Sequence, residues 1–418
     1  MKKELSSKEA AAILGVSAAT LYAYVSRGLL ASIADGKTRS KRYAHEEVLR
    51  LAARKADGKR AGHAVAAAMS WGVPVLESRI SLIADGKLFY RGHDSSALAA
   101  HATLEQAAAI LWGEAGTLAA PALPAAAPSP PALSPPALSP PPLSAPALAP
   151  PGSSRSAFPT LPPAVAGLAR AMPPLARAMA FLPVLAAAQA VGAECAPPAQ
   201  LMRMLAGLLL DADASDAPLH RQVARAWNVQ GIGEDLLRAA LVLLADHELN
   251  TSAFTVRCVA STGAALPAVL CAGLAALSGP EHGGHYLMAK NVIVAHLNSN
   301  GTGVPALAPM RPGFGHPLYP DGDPRAKLLL EMMKPLPQAA GVLALAARAA
   351  AVKGAEPNSD FALAALELVL DLPPHGGIVL FALARSAGWL AHAAEQAADG
   401  GMIRPRARYV GEFGPAGG

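Results

Sequence analysis

Three histidines and one aspartate stand in settings that leave their side chains available for proton transfer. His247 sits in "ADHELNTSAFTVR", where a Leu/Ala-rich helical pattern gives way to polar residues. His282 sits in "LSGPEHGG", after a Gly-Pro break and before two glycines. His316 lies in "GFGHPLYPDGDPRA", a stretch too polar and too broken for a core helix. Asp360 follows "AEPNS" and directly precedes an apolar helical pattern. Each falls at a helix end or on a loop between helices, where rigid scaffolds present reactive groups, and both residue types serve as general acids and bases. Taken singly, each also has a plain structural reading. Asp360 could cap "FALAALELVLDL", and His247 could complement a helix dipole at a C-terminus. All four in this order are harder to dismiss as structural.

The elements around them read as helices. "AQLMRMLAGLLLDAD", "EDLLRAALVLLADHE", "LPAVLCAGLAALSG", "AAGVLALAARAAAVKG", "DFALAALELVLDL" and "GIVLFALARSAGWLAHAAEQAAD" repeat apolar residues at three- and four-residue spacing. Hydrophobic residues make up 52% of the 418, yet aromatics are only 5%, so the apolar content is mostly Ala and Leu. That mix favours close-packed helices. Only "ESRISLIADGKLFYRG" looks like strands, a hairpin around Asp85-Gly86. The expected fold class is mainly α. Apolar runs are interrupted before about eighteen residues, so no membrane span is expected. The N-terminus lacks a signal-peptide pattern. Cys195, Cys258 and Cys271 have neither metal-ligand nor disulfide-framework spacing. These features predict a cytoplasmic protein with structural thiols and no metal.

Two stretches differ from the rest. Residues 1–62 hold 13 Lys/Arg against 6 Asp/Glu, a balance of +7, whereas the whole chain is only +5. The remainder is therefore at −2, and the basic character belongs to the N-terminal block, which points to an acidic partner for that block alone. In "LSSKEAAAILGVSAATLYAYVSRGLLAS", Ser6 and Glu9 fit a capping box, Gly15 ends the first helix, and Ser17 caps a second. A basic hairpin and a third helix follow. The block resembles the winged helix-turn-helix of MerR-type regulators and phage excisionases. That resemblance places Ala18, Ala19, Thr20 and Tyr22 on the groove-facing helix, with Arg27, Lys37, Arg39, Lys41 and Arg42 near phosphates. A packing module with a solvated basic face is the alternative. The second unusual stretch, residues 114–163, is Pro/Ala/Ser/Leu-rich, with 16 of the chain's 38 prolines between 121 and 163. It reads as an extended or disordered surface insertion.

The order and wording of the histidine and aspartate motifs resemble the citrate synthase family. Members carry DHE-N-S-FT-R, GP-HGG, GFGH--Y---DPRA, PN-DF, ARS-GW-AH--EQ and RPR--Y-G. This chain shows DHELNTSAFTVR, SGPEHGG, GFGHPLYPDGDPRA, PNSDF, ARSAGWLAHAAEQ and IRPRARYVG. The resemblance covers about residues 72–113 and 164–418. It departs after His282, where "HGGHYLMAKNV" replaces the usual small residue, Asn or Thr, and Glu; the stretch up to His316 is shorter than usual and lacks the customary charged helix.

The resemblance implies a large and a small helical domain, the small one over about 283–372 and closing on substrate. It implies condensation of acetyl-CoA with oxaloacetate, with Asp360 as base, His282 stabilising the enol and His316 protonating the ketone oxygen. His247, Arg325, Arg385 and Arg404 would hold oxaloacetate, Arg404 being supplied by the partner subunit of a homodimer. Backbone at Pro312, Gly313 and Gly315 would meet CoA, a substrate rather than a resident cofactor. Three readings stay open: a citrate synthase, a 2-methylcitrate synthase using propionyl-CoA, or a DNA-binding metabolite sensor on an inactive citrate-synthase fold.

Overall fold

The computed structural model describes residues 4–26, 30–34, 41–45, 47–49, 51, 76–113, 158, 160–189, 196–299, 311–352 and 354–407. The chain divides into two compact units, Met1–Glu77 and Ser78–Gly418.

In the first unit, β1 (Glu4–Ser6) leads into α1 (Ser7–Leu14), followed by α2 (Ala18–Ser26), β2 (Ile33–Ala34) and β3 (Lys41–Ala44). The capping box forms: Glu9 N–H reaches Ser6 Oγ at 3.3 Å, and the Glu9 carboxylate accepts from Ser6 N–H at 2.9 Å. Gly15 closes α1 in the left-handed conformation, φ 59°. Ser17 accepts from Thr20 N–H at 3.2 Å and caps α2. The strands pair antiparallel in the order β1-β3-β2; β2 and β3 are the two sides of the basic hairpin expected here, and β1 adds a third strand. Leu5, Leu14, Leu21, Leu30, Tyr43 and Val48 make a separate small core.

The second unit opens with β4 (Ser81–Ala84), β5 (Lys87–Tyr90) and β6 (His93–Asp94), an antiparallel sheet in sequence order. Asp85 and Gly86 both take positive φ (51° and 70°), as the tight turn between twisted strands requires. Helices follow: α3 (Ser95–Ala99), α4 (Leu104–Trp112), α5 (Pro163–Ala171), α6 (Pro174–Gln189), α7 (Pro198–Leu210), α8 (Leu219–Ala226), α9 (Ile232–Leu243), α10 (Thr251–Ala260) and α11 (Leu266–Leu277). The last five are α12 (His285–Asn298), α13 (Pro324–Met333), α14 (Ala340–Ala350), α15 (Ser359–Val369) and α16 (Gly376–Asp399). Most of the Pro-rich stretch, residues 114–157 and 159, lies outside the described residues; residues 158 and 160–162 are not helical, and Pro163 opens α5 at an N1 position where its missing N–H costs nothing. The segment after His282 forms α12, an apolar rather than a charged helix, with Tyr286, Ala289 and Ile293 buried along one face; residues 300–310 lie outside the described residues.

Helix α16 is the axis of the unit and packs against α4, α7, α9, α10, α11 and α15. It is the one described helix long and apolar enough to cross a bilayer, but 89% of its apolar window is buried within the fold. Small residues let its neighbours close in. At Gly388 an added Cβ would run into the Asp246 carboxylate and come within 2.5 Å of the Ala245 carbonyl. The Gly388 N–H donates to that same carbonyl at 3.0 Å. The hairpin is bound from far along the chain. Ser81 Oγ donates to Asp246 Oδ2 at 2.5 Å, Ile83 N–H to Glu248 at 2.9 Å, and Tyr90 Oη to the Val242 carbonyl at 3.0 Å. Arg79 N–H donates to Glu395 at 2.8 Å.

Candidate active site

Three connections between helices and the first turns of α13 and α15 present most of the candidate residues, Arg385 lying inside α16, and local capping explains why several of these side chains are available. His247 lies between α9 and α10, with Asn250 rather than His247 capping the next helix through Ser252 and Ala253 N–H. It is therefore not a helix C-terminal residue. Asp360 is likewise not a cap. Asn358 fills that role, its Oδ1 accepting from Asp360 and Phe361 N–H at 3.0 and 3.3 Å. With the cap satisfied by its neighbour, the Asp360 carboxylate is left for other work. Its pKa is pushed up to about 6, mainly by burial, against the opposing pull of His285 and Arg325. Asp323 caps α13, and Arg325 follows in the first turn of that helix.

One cluster gathers around Tyr319. Its Oη lies 3.1 Å from His247 Nε2. The His316 ring centroid is 5.0 Å from Tyr319 and 5.1 Å from His247, and the Arg325 guanidinium stands 5.5 Å over the Tyr319 ring. Burial together with Arg325 pushes His316 down to about 4. Burial, Arg325 and His316 push His247 well below the ordinary imidazole value. Both rings are therefore neutral near pH 7. Leu318 N–H donates to His316 Nδ1 at 3.2 Å, which places the ring proton on Nε2.

A second cluster surrounds His282, in the turn between α11 and α12. Its Nε2 is 3.0 Å from Ser252 Oγ. That hydroxyl also accepts from Trp389 Nε1 at 3.1 Å and donates to Asn250 Oδ1 at 2.8 Å. Asn250 Oδ1 already has two backbone donors, each at 3.1 Å. Ser252 thus joins His282 to Trp389 and to the Asn250 cap. Burial and Arg385 lower His282 to about 4. Phe381 joins the pieces, 5.8 Å from the His282 ring and 4.7 Å from the Arg385 guanidinium.

The two buried arginines are held differently. Arg325 Nε and Nη2 bind Asp323 at 2.9 and 2.7 Å, so only part of its fork is left for a ligand. Arg385 spends Nε on the Leu244 carbonyl at 2.9 Å. Among the described residues its terminal nitrogens have no other acceptor. Desolvation, aided by Arg325, lowers it to about 10. Beneath it Asp246 faces His392 at 3.3 Å, both fully buried. Burial alone would raise the Asp246 carboxyl, but His392 and Arg385 hold it below the ordinary value.

The structure thus brings His247, His282, His316, Arg325, Asp360 and Arg385 into one electrostatic neighbourhood. It does not bring Arg404 there. That residue is exposed, on a tail held by Gln396 Nε2 to the Gly401 carbonyl and by Ile403 N–H to Ser261 Oγ. Gly313 and Gly315 take positive φ (89° and 68°). Their polar groups lock the loop to α15: Gly315 N–H donates to the Glu356 carbonyl at 2.7 Å, and Asn358 N–H to the Gly313 carbonyl at 3.0 Å. Pro312 lies in the same turn. Sequence reasoning did not single out Tyr319, Asp323, Ser252, Asn358 or Phe381. The first two lie inside the quoted histidine motif, and that was the available signal. Among the described residues no cluster of His, Cys, Asp and Glu could hold a metal ion.

In the basic N-terminal unit, Tyr22 is exposed on α2 with Lys41 Nζ 5.7 Å over its ring. Thr20 Oγ1 is bonded to Ser17 Oγ at 2.9 Å, and Arg42 lies on β3, half-buried. Arg27, Lys37 and Arg39 lie outside the described residues.

Comparison with solved structures gives the fold class first. The chain matches a citrate synthase from Thermotoga maritima with a TM-score of 0.54 at 22% identity, covering 82% of this chain and 96% of that one. It matches a Thermoplasma acidophilum citrate synthase, solved as a ternary complex with carboxymethyl coenzyme A and oxaloacetate, with a TM-score of 0.58 at 21% identity. That match covers 82% of this chain and 97% of that one. The model of the citrate synthase C-terminal domain matches residues 174–406, more than half of the chain, and a helix-turn-helix domain model matches residues 4–56. The chain therefore belongs to the citrate synthase family. It is 37% identical to the citrate synthase of Haloferax volcanii over 186 residues, 41% of this chain and 49% of that protein. It is 36% identical to citrate synthase 2 of Bacillus subtilis over 188 residues, 41% of this chain and 50% of that one. The chain thus spans about half the length of the curated relatives it matches.

Proposed function

We propose that the chain condenses acetyl-CoA with oxaloacetate to give citrate and CoA, as a citrate synthase-type acyltransferase. The observation that carries this reading is an Asp360 carboxyl that caps no helix and is raised to about 6, together with a neutral His282, both within the influence of Arg385 and His285. A thioester methyl group is a very weak acid, so its proton leaves only if a carboxylate takes it while a donor stabilises the forming enol oxygen. Asp360 takes that proton, and a ring N–H of His282 donates to the thioester oxygen. The methyl carbon then bonds to the ketone carbon. The ketone oxygen gains its proton from His316 Nε2, whose pKa rises when two substrate carboxylates arrive. Water finally cleaves the thioester, giving a carboxylate and the CoA thiol.

Arg325 and Arg385 suit the dianion, with His247 oriented by Tyr319 beside them. The exposed Arg404 fits the family's arrangement in which a partner subunit completes the site, so we propose a homodimer. Pro312, Gly313 and Gly315 are proposed to meet CoA, with a small domain over 283–372 closing on it and excluding water. A cytoplasmic setting is part of the same proposal.

The test is release of free thiol from acetyl-CoA and from propionyl-CoA in the presence of oxaloacetate. Turnover is expected to rise with pH through about 6, as Asp360 ionises, and to level off above. Folded protein that releases no thiol from either acyl-CoA overturns the reading, while a preference for propionyl-CoA makes it a 2-methylcitrate synthase.

The helix-turn-helix match supports a second proposal, that residues 1–62 bind duplex DNA through Tyr22, Lys41 and neighbouring basic residues. Binding is expected to fall steeply with salt. Absence of binding to random-sequence and genomic duplexes at low salt removes it.

A further inference from the structure

Glu367 lies seven residues beyond Asp360 on α15 and is 2% exposed. Seven residues are close to two full turns, so both carboxylates share one face of the helix, about 10 Å apart along it. Both oxygens of Glu367 accept from donors. Its Oε1 accepts from Lys290 Nζ at 2.6 Å, and its Oε2 from Tyr286 Oη and Gly377 N–H, both at 2.8 Å. Tyr286 and Lys290 are four residues apart on α12, hence on one face as well. That helix starts three residues after His282, and His285 N–H donates to the His282 carbonyl at 3.2 Å. Gly377 belongs to the first turn of α16, which carries Phe381 and Arg385. The Tyr286 ring lies so close there that a Cβ on residue 377 would come within 2.5 Å of Cε2. One buried carboxylate therefore ties together the helices that present His282, Asp360 and Arg385.

We infer that Glu367, with Tyr286 and Lys290, is a positioning cluster that fixes the register of α12 against α15 and so the separation of His282 from Asp360. The inference rests on the proposed condensation, in which those two groups act on one substrate. It is not a second base site, because both oxygens of Glu367 are already engaged by donors. Its burial carries a large desolvation cost that only a complete donor set offsets. The register it enforces matters because a misplacement of about 1 Å at the reacting atoms costs on the order of 100-fold in rate.

The test uses Tyr286→Phe, Lys290→Met and Glu367→Gln in the full chain. Two quantities are read: the split between kcat and oxaloacetate KM, and the titration of the Asp360 carboxyl followed by carbon NMR, assigned by loss of its signal in Asp360→Asn. Tyr286→Phe is expected to lower kcat about 10- to 100-fold with KM within about two-fold, and to move the Asp360 midpoint away from about 6. Folded variants with unchanged kcat and an unmoved midpoint overturn the inference, as does a loss of oxaloacetate binding equal to the loss of rate. If the parent protein releases no CoA, the condensation reading fails by itself. The NMR titration then still decides the cluster, an unmoved midpoint in Tyr286→Phe overturning it. Should Glu367→Gln not fold, Tyr286→Phe carries the test, since it removes a single hydroxyl.

Discussion

Replacing Asp360 by Asn is expected to lower kcat by roughly 1,000-fold or more while oxaloacetate affinity stays within about three-fold of the parent. The amide keeps the shape and the backbone bond to Asn358 but cannot accept the α-proton. The same substitution should make the protein more stable, which separates a lost base from a damaged fold. The Asp360 carboxyl has a folded-state pKa of about 6, above its unfolded value near 4. A raised acid contributes stability only below the unfolded value and loses it as pH rises through the folded one. The parent therefore carries a buried anion at pH 8 that the amide lacks. A two-unit shift corresponds to at most about 3 kcal/mol, and because the side chain is partly exposed we expect about 1–2 kcal/mol after screening. Thermal unfolding should show Asp360→Asn above the parent at pH 8, with the gap shrinking as pH falls from 6 toward 4. A variant that melts lower than the parent at pH 8 and has lost oxaloacetate binding would argue that Asp360 is structural.

Arg385→Leu should remove oxaloacetate binding almost entirely. Its guanidinium is 1% exposed, stacked on Phe381 and anchored only through Nε. A desolvated charge with unspent donors gains most when a carboxylate fills the gap. Truncating one side of such a pair costs about 2–5 kcal/mol, or roughly 30- to 5,000-fold in affinity. Calorimetric titration with oxaloacetate reads this directly. Arg325→Leu should cost less affinity than Arg385→Leu, because Asp323 already occupies two nitrogens of Arg325. Equal losses in the two variants would show that the difference in their pairing does not matter for the ligand.

Much of this site could be read in the sequence. The helical spacing of the apolar segments, the Asp85-Gly86 turn, the Ser6–Glu9 box and the placing of His247, His282, His316 and Asp360 at helix ends or between helices were all legible, because each depends on local chemistry or on motif wording. What was not legible depends on residues meeting across the fold. Whether Asp360 or Asn358 caps α15 is a choice between two good caps two positions apart, settled by the loop at Gly313 and Gly315 that pins Asn358 through its N–H and side chain. That Tyr319 touches His247 needs a 72-residue loop closure that no local pattern encodes. Helix α12 escaped notice because its polar residues break the expected charge pattern, although Tyr286, Ala289 and Ile293 still keep helical spacing. Its stability comes from burial against α15, which overrides weak local preference.

The hairpin that opens the second unit has a consequence for the order of synthesis. A short hairpin is marginal by itself in water. Here its bonds run to Asp246 and Glu248, and the Arg79 N–H bonds to Glu395, 316 residues later. At ribosomal speeds of about 5–20 residues per second, roughly 15–60 s separate the two ends of that last bond. Throughout that interval the first strands wait without their final partner. The helix carrying Arg385 and Gly388 is also the one that closes over the loop holding His247, so the site gains its shape only as this late helix docks. A translational pause before residue 376 would therefore lengthen the exposure of the hairpin rather than give it time to fold.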